Sequence, residues 1–373
     1  MAEKERKTKR VVITGGHHTP ALAVMEELKK RGNFEFHWIG HLSSLSGEKT
    51  VSVEARTVKR LEIPFYDLKA GKLYKTSVRE WFKVPLGFLH ALYLLLKIRP
   101  ALVISFGGYL AAPVVLAGFV LRVPSVTHEQ TVVSGWANRF IALFAKQVFV
   151  SWKASLDYFP RRKTMLAGNP LRKTIFESKT GRFNFKNRLP TIYITGGKQG
   201  AHVINEAVRK ALSQFLELYN VMHQTGSSEV FKDYQKLILM KSQLPKNLKS
   251  RYVVQEYFGE DEIGAVFSSC DLVVGRAGAN TVAELAALAK PSVLIPIPWV
   301  SHQEQFKNAQ LLSDLDASLT LTEEMLSSSS LLDAIDSIFK DYDRYAGSAE
   351  KARELIRPDA ASKIASEIVR LVE

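Results

Sequence analysis

The stretch Val11–Gly16, VVITGG, decides the fold because a second copy, IYITGG, occupies Ile192–Gly197. The two ITGG tetrapeptides begin 181 residues apart. Each ends an apolar, β-branched run, and each is followed by a stretch of helical periodicity. A buried strand, a glycine turn and a helix form the first unit of a Rossmann-like domain, where glycine leaves the helix N-terminus open to a ligand. The repeat therefore predicts an α/β fold with two Rossmann-like domains facing each other across a cleft.

Each glycine pair also has a simpler interpretation. Neither copy continues as G-x-G-x-x-G, so the dinucleotide-binding fingerprint is absent. A single GG pair of this kind is more often a tight turn without a ligand. The presence of two copies at matching positions favours ligand sites in both domains.

The order of the other segments predicts the domain boundaries. Strand-like and helix-like segments alternate in both halves, and the strands are continuously apolar, as in a parallel sheet buried on both faces. A polar, basic stretch that ends at Pro190 separates the halves. We expect an N-terminal domain at residues 1–170, a linker at 171–189, a C-terminal domain at 190–345, and a helical segment at 346–373 that packs back toward the N-terminal domain.

Composition limits the function classes. The chain has 373 residues, 46% of them hydrophobic and 24% charged, which suits two globular domains. The single cysteine, Cys270, excludes an internal disulfide framework and a cysteine-rich metal site, and its apolar surroundings predict a buried thiol. The longest apolar runs, Val84–Leu96 and Tyr109–Leu121, are shorter than the roughly 18 to 20 residues that span a bilayer. We also find no secretory signal in the charged first ten residues.

The net charge of +14 indicates an anionic partner, which could be nucleic acid, a membrane or a substrate. Nucleic acid is the least expected of the three, because no nucleic-acid-binding motif is present.

The segment after Asp271 carries the strongest sign of chemistry. A strand ends at Gly275, and we predict a helix from about Thr281, whose N-terminal N–H groups favour a phosphate at 278–280. Glu284, one turn into this helix, could accept two hydrogen bonds from a ribose diol. Thr281 and Glu284 equally fit a capping box, and their spacing leaves both interpretations open. The polar cluster 302–308 is predicted to form a lid over the same site.

Seven motifs, in order along nearly the whole chain, resemble those of MurG-type glycosyltransferases. This family moves N-acetylglucosamine from UDP onto a lipid-linked muramyl-pentapeptide. The motifs are TGGHHTPALAV, SFGGYLAAPVVLAG, PSVTHEQTVVSGWANRFIALFA, AGNPLR, TGGKQGAHVIN, GRAGANTVAE and the spacing of Gln305, Asn308 and Ala309.

The resemblance implies the glycosyltransferase B fold and an inverting transfer from UDP-N-acetylglucosamine to the 4-hydroxyl of the muramyl sugar. The acceptor would be a polyprenyl-pyrophosphate-linked muramyl-peptide, lipid I, and the product lipid II of peptidoglycan synthesis. We expect no cofactor and no metal, with the helix dipole and basic groups stabilising the leaving UDP. Two Asp-x-Asp triplets, Asp314–Asp316 and Asp341–Asp343, are predicted to be surface carboxylates.

The resemblance also assigns roles to residues on both substrates. The donor-binding residues would be Arg172, Gln199, Phe258 (through its backbone, at the uracil edge), Ala279, Asn280, Thr281, Glu284 and Gln305. The acceptor and its pyrophosphate would be bound by Thr14, Gly15, Gly16, Gly107, Gly108, Tyr109, His128, Glu129 and Thr131. His17 would be the general base, since an ordinary imidazole pKa of about 6.5 suits that role. Alternatively, His17 could have no catalytic role and serve only to order its loop.

Three departures from the family pattern concern these loops. The first loop lacks the extra pair of glycines before Thr14, so it is shorter. Thr131 replaces the usual asparagine, and Lys198 replaces the usual serine. Lys198 could add charge against the nucleotide phosphates or point into solvent.

A membrane-binding segment is predicted in the N-terminal domain. Trp81, Phe82, Phe88 and Leu89 lie in an apolar stretch flanked by Lys72, Lys75, Arg79, Lys83, Lys97 and Arg99, a composition typical of helices in the membrane interface. The alternative is a core helix, and we expect 92–96 to be buried in either case. The predicted location is peripheral, on the cytoplasmic face of the plasma membrane.

Two other functions remain possible on the sequence. A UDP-N-acetylglucosamine 2-epimerase would share the fold, but the HEQ loop and the GNP motif argue against it. A degenerate homologue serving as a membrane or cell-wall scaffold would explain the shortened first loop. The intact donor segment argues against that second alternative.

Overall fold

The structure is a computed structural model that describes residues 8–42, 53–70, 78–177, 183 and 185–373, without the side chains of 53, 78–83 and 301. These residues form two compact units. Domain 1 comprises the described residues up to Arg172 together with Arg357–Glu373, and domain 2 comprises those of Lys173–Ile356.

Domain 1 is built on a parallel sheet of seven strands with the order β3-β2-β1-β4-β5-β6-β7. Its elements are β1 (Lys9–Thr14), α1 (His18–Lys29), β2 (Phe34–Gly40), α2 (Val53–Arg60), β3 (Phe65–Asp67), α3 (Val78–Ile98), β4 (Leu102–Ser105), α4 (Ala111–Val120), β5 (Ser125–Glu129), α5 (Trp136–Phe144), β6 (Gln147–Val150) and β7 (Thr164–Leu166).

Domain 2 is built on a parallel sheet of six strands with the order β10-β9-β8-β11-β12-β13. Its elements are β8 (Thr191–Thr195), α6 (His202–Lys210), α7 (Leu212–Leu218), β9 (Asn220–Gln224), α8 (Asp233–Gln243), α9 (Lys246–Lys249), β10 (Tyr252–Gln255), α10 (Ile263–Ser269), β11 (Leu272–Gly275), α11 (Ala279–Ala287), β12 (Ser292–Leu294), α12 (Glu304–Ser313), β13 (Ser318–Thr320), α13 (Ser328–Lys340) and α14 (Tyr342–Ala352).

The prediction of two α/β domains with parallel sheets is confirmed. The strands predicted before the two glycine pairs and before Arg276 form as β1, β8 and β11. Cys270 is buried, as predicted. The last helix, α15 (Ala360–Val372), follows Pro358 and belongs to domain 1, where Ile364 and Ile368 share a core cluster with Val24 and Leu28 of α1.

In both sheets the strand order reverses beside the strand that precedes the glycine pair. Strand β1 pairs with β2 on one side and β4 on the other, and β8 pairs likewise with β9 and β11. Parallel α/β sheets bind ligands outside the carboxyl ends of their strands at such a reversal. Each ITGG glycine pair therefore lies at the position where its domain is most suited to bind a ligand.

Helix α3 has two apolar faces. Leu94 and Leu95 are buried in the core. Leu86, Leu89, Tyr93 and Leu96 recur at helical spacing and are between 58% and 61% exposed. The expectation that all of 92–96 would be buried is therefore wrong for Tyr93 and Leu96, because a helix resting on a sheet buries one face only. No described helix is long and apolar enough to cross a membrane.

Candidate active site

The two glycine loops of domain 1 lie against each other. Gly15 has φ 126°, and a Cβ there would come within 2.7 Å of the Phe106 carbonyl carbon. The Gly16 N–H donates to the Gly107 carbonyl oxygen at 3.3 Å. At Gly107, with φ 77°, a Cβ would come within 2.6 Å of Asn138 Oδ1. The first loop, although short, is thus packed closely on the second, and glycine is required at both contacts.

Glu129 and Thr131, which were predicted to bind the acceptor, are hydrogen-bonded to each other. They are buried. Glu129 Oε1 accepts hydrogen bonds from the Thr131 N–H at 3.0 Å and from the Thr131 hydroxyl at 2.9 Å. Glu129 Oε2 accepts from Asn138 Nδ2 at 2.7 Å. Burial raises the pKa of Glu129, and these hydrogen bonds oppose the shift. The loop after β5 is therefore held together by Glu129, which Thr131 contacts through both its N–H and its hydroxyl.

His128, another predicted acceptor-binding residue, is also buried. Its Nε2 lies 3.0 Å from the Gly168 carbonyl oxygen, and burial lowers its pKa to about 4. Nδ1 of His128 and both side-chain polar atoms of Gln130 are buried without a hydrogen-bond partner among the described residues. Thr14, Gly15 and Gly107 are buried as well. Buried unpaired polar groups are costly, so this region is suited to water or a polar ligand.

Three predicted acceptor-binding residues and the predicted general base remain accessible at this edge of domain 1. Gly16, His17 and Gly108 are exposed, and Tyr109 is half-buried. The dense protein around His17 lowers its pKa below the ordinary value, because it penalises the charged imidazole, although the side chain itself contacts solvent. A neutral, accessible imidazole beside two glycine loops can accept a proton from a bound hydroxyl.

The sequence analysis missed Asn138, which lies on α5 and contacts both Glu129 at the end of β5 and Gly107 in the loop after β4. Its amide reaches Glu129, and its Oδ1 occupies the space that a side chain at 107 would need. An asparagine on the otherwise apolar face of a predicted helix could have indicated this role, since Asn138 is buried.

In domain 2 a buried amide organises the glycine loop after β8. Gln224, at the end of β9, donates through Nε2 to the Gly197 carbonyl oxygen at 3.0 Å and to Thr195 Oγ1 at 3.1 Å. Thr195 Oγ1 in turn accepts from the Gly197 N–H at 3.0 Å. The loop that carries Gln199, whose side chain is exposed, is therefore held in place by hydrogen bonds within the protein.

Helix α11 begins two residues earlier than predicted, and this excludes the capping box. Its N-cap is Gly278, which has no side chain to close the helix end, and Thr281 lies inside the first turn. Ala279 is buried, whereas Asn280 and Thr281 are half-buried near the open N-terminus. Glu284 is 6% exposed in the second turn. The capping explanation of Glu284 is wrong, so its ribose-binding role is the prediction that remains.

Helix α12 is hydrogen-bonded to neighbouring loops through Gln305, a predicted donor-binding residue, and through Asn308. Gln305 Oε1 accepts from the Ile297 N–H at 3.1 Å, and Asn308 Nδ2 donates to the Ala277 carbonyl oxygen at 3.2 Å. Gln305 therefore has its amide N–H groups to offer a sugar hydroxyl. His302 and Gln303 both have positive φ in the turn before α12, in the segment predicted as a lid.

Phe258 is placed differently from the expectation. It is completely buried, its ring packs edge-on against Phe183 and Tyr193, and its N–H donates to Gln224 Oε1 at 3.0 Å. Its backbone is therefore not accessible to a nucleotide in this structure. The neighbouring Tyr257 is half-buried at the same edge of the sheet.

Other predicted site residues lie outside these groups. Arg172 is half-buried at the end of domain 1. The side chains of Trp81 and Phe82 lie outside the described residues, whereas Phe88 is half-buried and Leu89 is exposed. The aspartates of both Asp-x-Asp triplets, Asp314, Asp316, Asp341 and Asp343, are exposed, and Arg344 pairs with Asp316 and Asp341.

One group of described side chains has the spacing of a metal site, namely His202, Glu206 and Asp233. His202 Nδ1 lies 2.9 Å from Asp233 Oδ1, Asn205 donates to Asp233, and Arg209 pairs with Glu206. These partners satisfy the three side chains within the protein, so the group fits a structural cluster better than a metal centre.

The fold and the two sets of loops define a class of protein. Residues 14–150 match the glycosyltransferase family 28 N-terminal domain, and residues 191–364 match the glycosyltransferase family 28 C-terminal domain. The class is therefore a two-domain α/β glycosyltransferase.

Comparison with known proteins shows which family of glycosyltransferases the chain belongs to. A protein of Lachnoclostridium phytofermentans named UDP-N-acetylglucosamine--N-acetylmuramyl-(pentapeptide) pyrophosphoryl-undecaprenol N-acetylglucosamine transferase is 34% identical over 369 residues, which cover 95% of this chain and 97% of the relative. The crystal structure of Acinetobacter baumannii MurG is 25% identical and has a TM-score of 0.70, covering 97% of this chain and 99% of that one. The chain belongs to the MurG family of glycosyltransferases, which confirms the resemblance seen in the motifs.

A structure of UDP-GlcNAc 2-epimerase from Neisseria meningitidis bound to UDP-GlcNAc also matches, with a TM-score of 0.64 over 97% of this chain and all of that one. At 12% identity this similarity shows a common fold and nothing further.

Proposed function

We propose that this chain transfers N-acetylglucosamine from UDP-N-acetylglucosamine to the 4-hydroxyl of the muramyl sugar of a lipid-pyrophosphate-linked muramyl-pentapeptide. The relative from Lachnoclostridium phytofermentans is named for this transfer, and the two chains align over nearly their full lengths. One structural observation supports the proposal independently of the relative's name. Each domain has its own ligand-ready loops at a reversal of strand order, as a reaction between two substrates requires.

The donor would bind to domain 2. The N-terminus of α11 at Gly278 would present its N–H groups and the positive end of the helix dipole to the diphosphate. Glu284 would accept hydrogen bonds from the ribose, and Gln305 would donate to sugar hydroxyls. The exposed Gln199 on the fixed glycine loop would complete the site.

The acceptor would bind to domain 1. Gly16 and Gly108 are exposed, and a Cβ at Gly16 would meet no atom within 4 Å, so this surface is open to a pyrophosphate. His17 would take the proton of the acceptor hydroxyl as its oxygen attacks the anomeric carbon. The bond from that carbon to UDP breaks with inversion, and UDP leaves with the electron pair.

Stabilisation of the leaving UDP would come from the protein and require no metal ion. The exposed aspartates of the Asp-x-Asp triplets do not form part of the loops at the strand ends. The α11 dipole and basic side chains supply the compensating positive charge instead. Activity that persists in excess chelator would support this, and activity restored only by a divalent cation would contradict it.

Domain 1 would also bind a membrane, where a polyprenyl-linked acceptor must lie. Helix α4 packs beside α3 and also exposes two apolar residues, Phe119 and Val120. Phe119 packs against Phe144 of α5, with ring centroids 5.2 Å apart, and α5 exposes Trp136 and Leu143. Lys97, Arg99, Arg122 and Lys146 are exposed on the same helices or at their ends. An apolar face with basic neighbours suits an anionic bilayer, at about 1 kcal/mol for each basic group near the surface.

Co-sedimentation with vesicles tests the membrane surface. The double variant Leu86→Ser/Leu89→Ser should lose binding to anionic vesicles, and wild type should bind neutral vesicles less than anionic ones. A matched control replaces two exposed apolar residues of domain 2, Val230→Ser/Leu239→Ser, and should bind as wild type does. Unchanged binding of the α3 variant would show that another surface is used.

The transfer is tested by measuring UDP release from UDP-N-acetylglucosamine with and without the lipid-linked acceptor. The proposal predicts release that depends on the acceptor. Formation of UDP-N-acetylmannosamine without acceptor would instead identify an epimerase. Binding of both ligands without any reaction would identify a scaffold.

A further inference from the structure

Arg276 and Glu323 form an ion pair at the carboxyl edge of the domain 2 sheet, largely shielded from solvent. Arg276 is 9% exposed, and the side chain of Glu323 is 12% exposed. Nη1 of Arg276 also donates to the Ile295 carbonyl oxygen at 3.0 Å. Arg276 follows β11, Ile295 follows β12 and Glu323 follows β13. One guanidinium group therefore connects the loops after three adjacent strands.

The bond from the Arg276 guanidinium to the loop after β12 is one of three hydrogen bonds that close a ring. In the same loop, the Ile297 N–H donates to Gln305 Oε1 of α12. Asn308, three residues later on α12, donates through Nδ2 to the carbonyl oxygen of Ala277, the residue that follows Arg276. The ring therefore joins the N-terminus of α11 to the helix that carries Gln305.

The ring depends on the countercharge that Glu323 supplies. A buried guanidinium group without a carboxylate partner is strongly destabilising. In the absence of Glu323, Arg276 would turn toward solvent to regain water, and its bond to the Ile295 carbonyl oxygen would be lost. The loops after β11 and β12 would then no longer be held to each other by a side chain of Arg276.

We propose that Glu323 is a positioning residue for the transfer, because it holds Arg276 and so keeps the α11 N-terminus and the Gln305 amide at fixed relative positions. The inference rests on the proposed function, since it assumes that the nucleotide sugar binds to these two elements. Glu323 acts through Arg276 and does not have to touch a substrate. The loop after β13, in which it lies, contains none of the residues predicted from the sequence to bind either substrate.

Removing both charges at once separates positioning from stability. Apolar residues of similar volume can often replace a buried ion pair without loss of stability, whereas removal of one partner is costly. Arg276→Met/Glu323→Leu should therefore melt near the wild-type temperature, and Glu323→Leu should melt lower. Neither variant can close the ring, so both should raise the KM for UDP-N-acetylglucosamine about tenfold, the lower end of the range for a hydrogen bond to a charged group. The KM for the lipid-linked acceptor should stay unchanged.

Two single variants show whether Glu323 acts through Arg276. Arg276→Met alone should raise the KM for UDP-N-acetylglucosamine as much as the double variant does, since residues of one network are not additive. Glu323→Asp keeps the charge and should recover part of the wild-type KM. The matched control is Asp336→Asn, because Asp336 of α13 accepts a hydrogen bond from the Tyr219 hydroxyl just before β9, at the opposite edge of the same sheet. It should lower the melting temperature and leave both KM values unchanged.

The outcomes are distinct. A wild-type KM for UDP-N-acetylglucosamine in the folded double variant would overturn the proposal, and so would additive KM increases from the two single substitutions. A lower kcat with unchanged KM values, as a smaller folded fraction gives, would assign the ion pair a stabilising role and overturn the proposal as well. Failure of the wild type to transfer the sugar to the acceptor would contradict the proposed function itself.

Discussion

The side-chain amide of Gln224 joins two loops of domain 2 by accepting a hydrogen bond from the Phe258 N–H at 3.0 Å while donating to the Gly197 carbonyl oxygen at the same distance. Gln224 is 4% exposed, so both bonds form in an environment where an unpaired polar group is costly. The glycine loop after β8 and the loop after β10 are thus positioned by one residue that no ligand has to touch.

Gln224→Met should weaken UDP binding by misplacing both loops. The strand offers a matched control, because Asn220 at the opposite end of β9 is a buried amide that donates to Leu189 and Asn187. Loss of either amide should lower the free energy of unfolding by about 1–3 kcal/mol. Calorimetry should find reduced UDP affinity in Gln224→Met and unchanged affinity in Asn220→Leu. Equal UDP affinities in the two variants would show that Gln224 is a stabilising residue without a role in the site.

Neighbouring glycines of the first loop should respond differently to alanine. A methyl group at Gly15 would collide with the Phe106 backbone, and the positive φ adds strain, so Gly15→Ala should unfold or strongly destabilise domain 1. Gly16→Ala meets no neighbour within 4 Å and should keep the wild-type melting temperature. It should nevertheless raise the KM for the lipid acceptor, because the methyl group would lie where the pyrophosphate is proposed to bind. An unchanged acceptor KM would remove this loop from the acceptor site.

Glu54 should make stability dependent on pH. Burial raises its pKa from 4.5 to about 7, against the opposing hydrogen bond from Trp38 Nε1. The folded state therefore binds more protons than the unfolded state between these values, and stability should fall as pH rises through that window, by about 3 kcal/mol at 1.36 kcal/mol per pKa unit. Glu54→Gln should abolish this component in denaturant titrations from pH 4 to 8. Glu26→Gln, on the exposed side of α1, should retain it.

The pH profile of kcat/KM should reflect His17. Since burial lowers the pKa of His17 below the ordinary value, the imidazole is more than half neutral at pH 6.5, and the rate should decline as the pH falls below that lowered pKa. His17→Ala should lose about 10²–10⁴-fold in transfer and keep its UDP affinity, because the donor is proposed to bind to the other domain. Near-normal transfer in this variant would leave His17 with the loop-ordering role only.

Glu284→Gln should weaken UDP-sugar binding without unfolding the protein. A charge-assisted hydrogen bond to the ribose contributes about 1.5–3 kcal/mol, and the amide can supply only part of it. The structure sharpens this test, because Gly278 and not Thr281 is the N-cap of α11. A loss of melting temperature with unchanged UDP affinity would indicate that Glu284 acts within the protein alone.

Apolar periodicity and glycine position were sufficient to predict the two sheets, since both follow from local chain geometry. Burial of individual polar residues was not predictable in the same way. Glu129 is the last residue of the buried strand β5, and its contact with Asn138 depends on how α5 packs, which the sequence does not show. For Phe258 the decisive partner, Gln224, lies 34 residues earlier in the chain. For α3 the sequence predicted an apolar helix but not which of its residues are exposed. Tyr93 and Leu96 were expected to be buried and are exposed, because apolar composition alone does not show which side of a helix packs on the sheet.

The linkage in the lipid product tests the central claim most directly. Wild-type protein would be incubated with UDP-N-acetylglucosamine carrying ¹³C at the anomeric carbon and with the lipid-linked muramyl acceptor, and the purified product would be examined by NMR. The account predicts one added N-acetylglucosamine in β linkage to the 4-hydroxyl of the muramyl sugar, with UDP released in equal amount. An α linkage, attachment at another hydroxyl, or UDP released without a labelled lipid would contradict it.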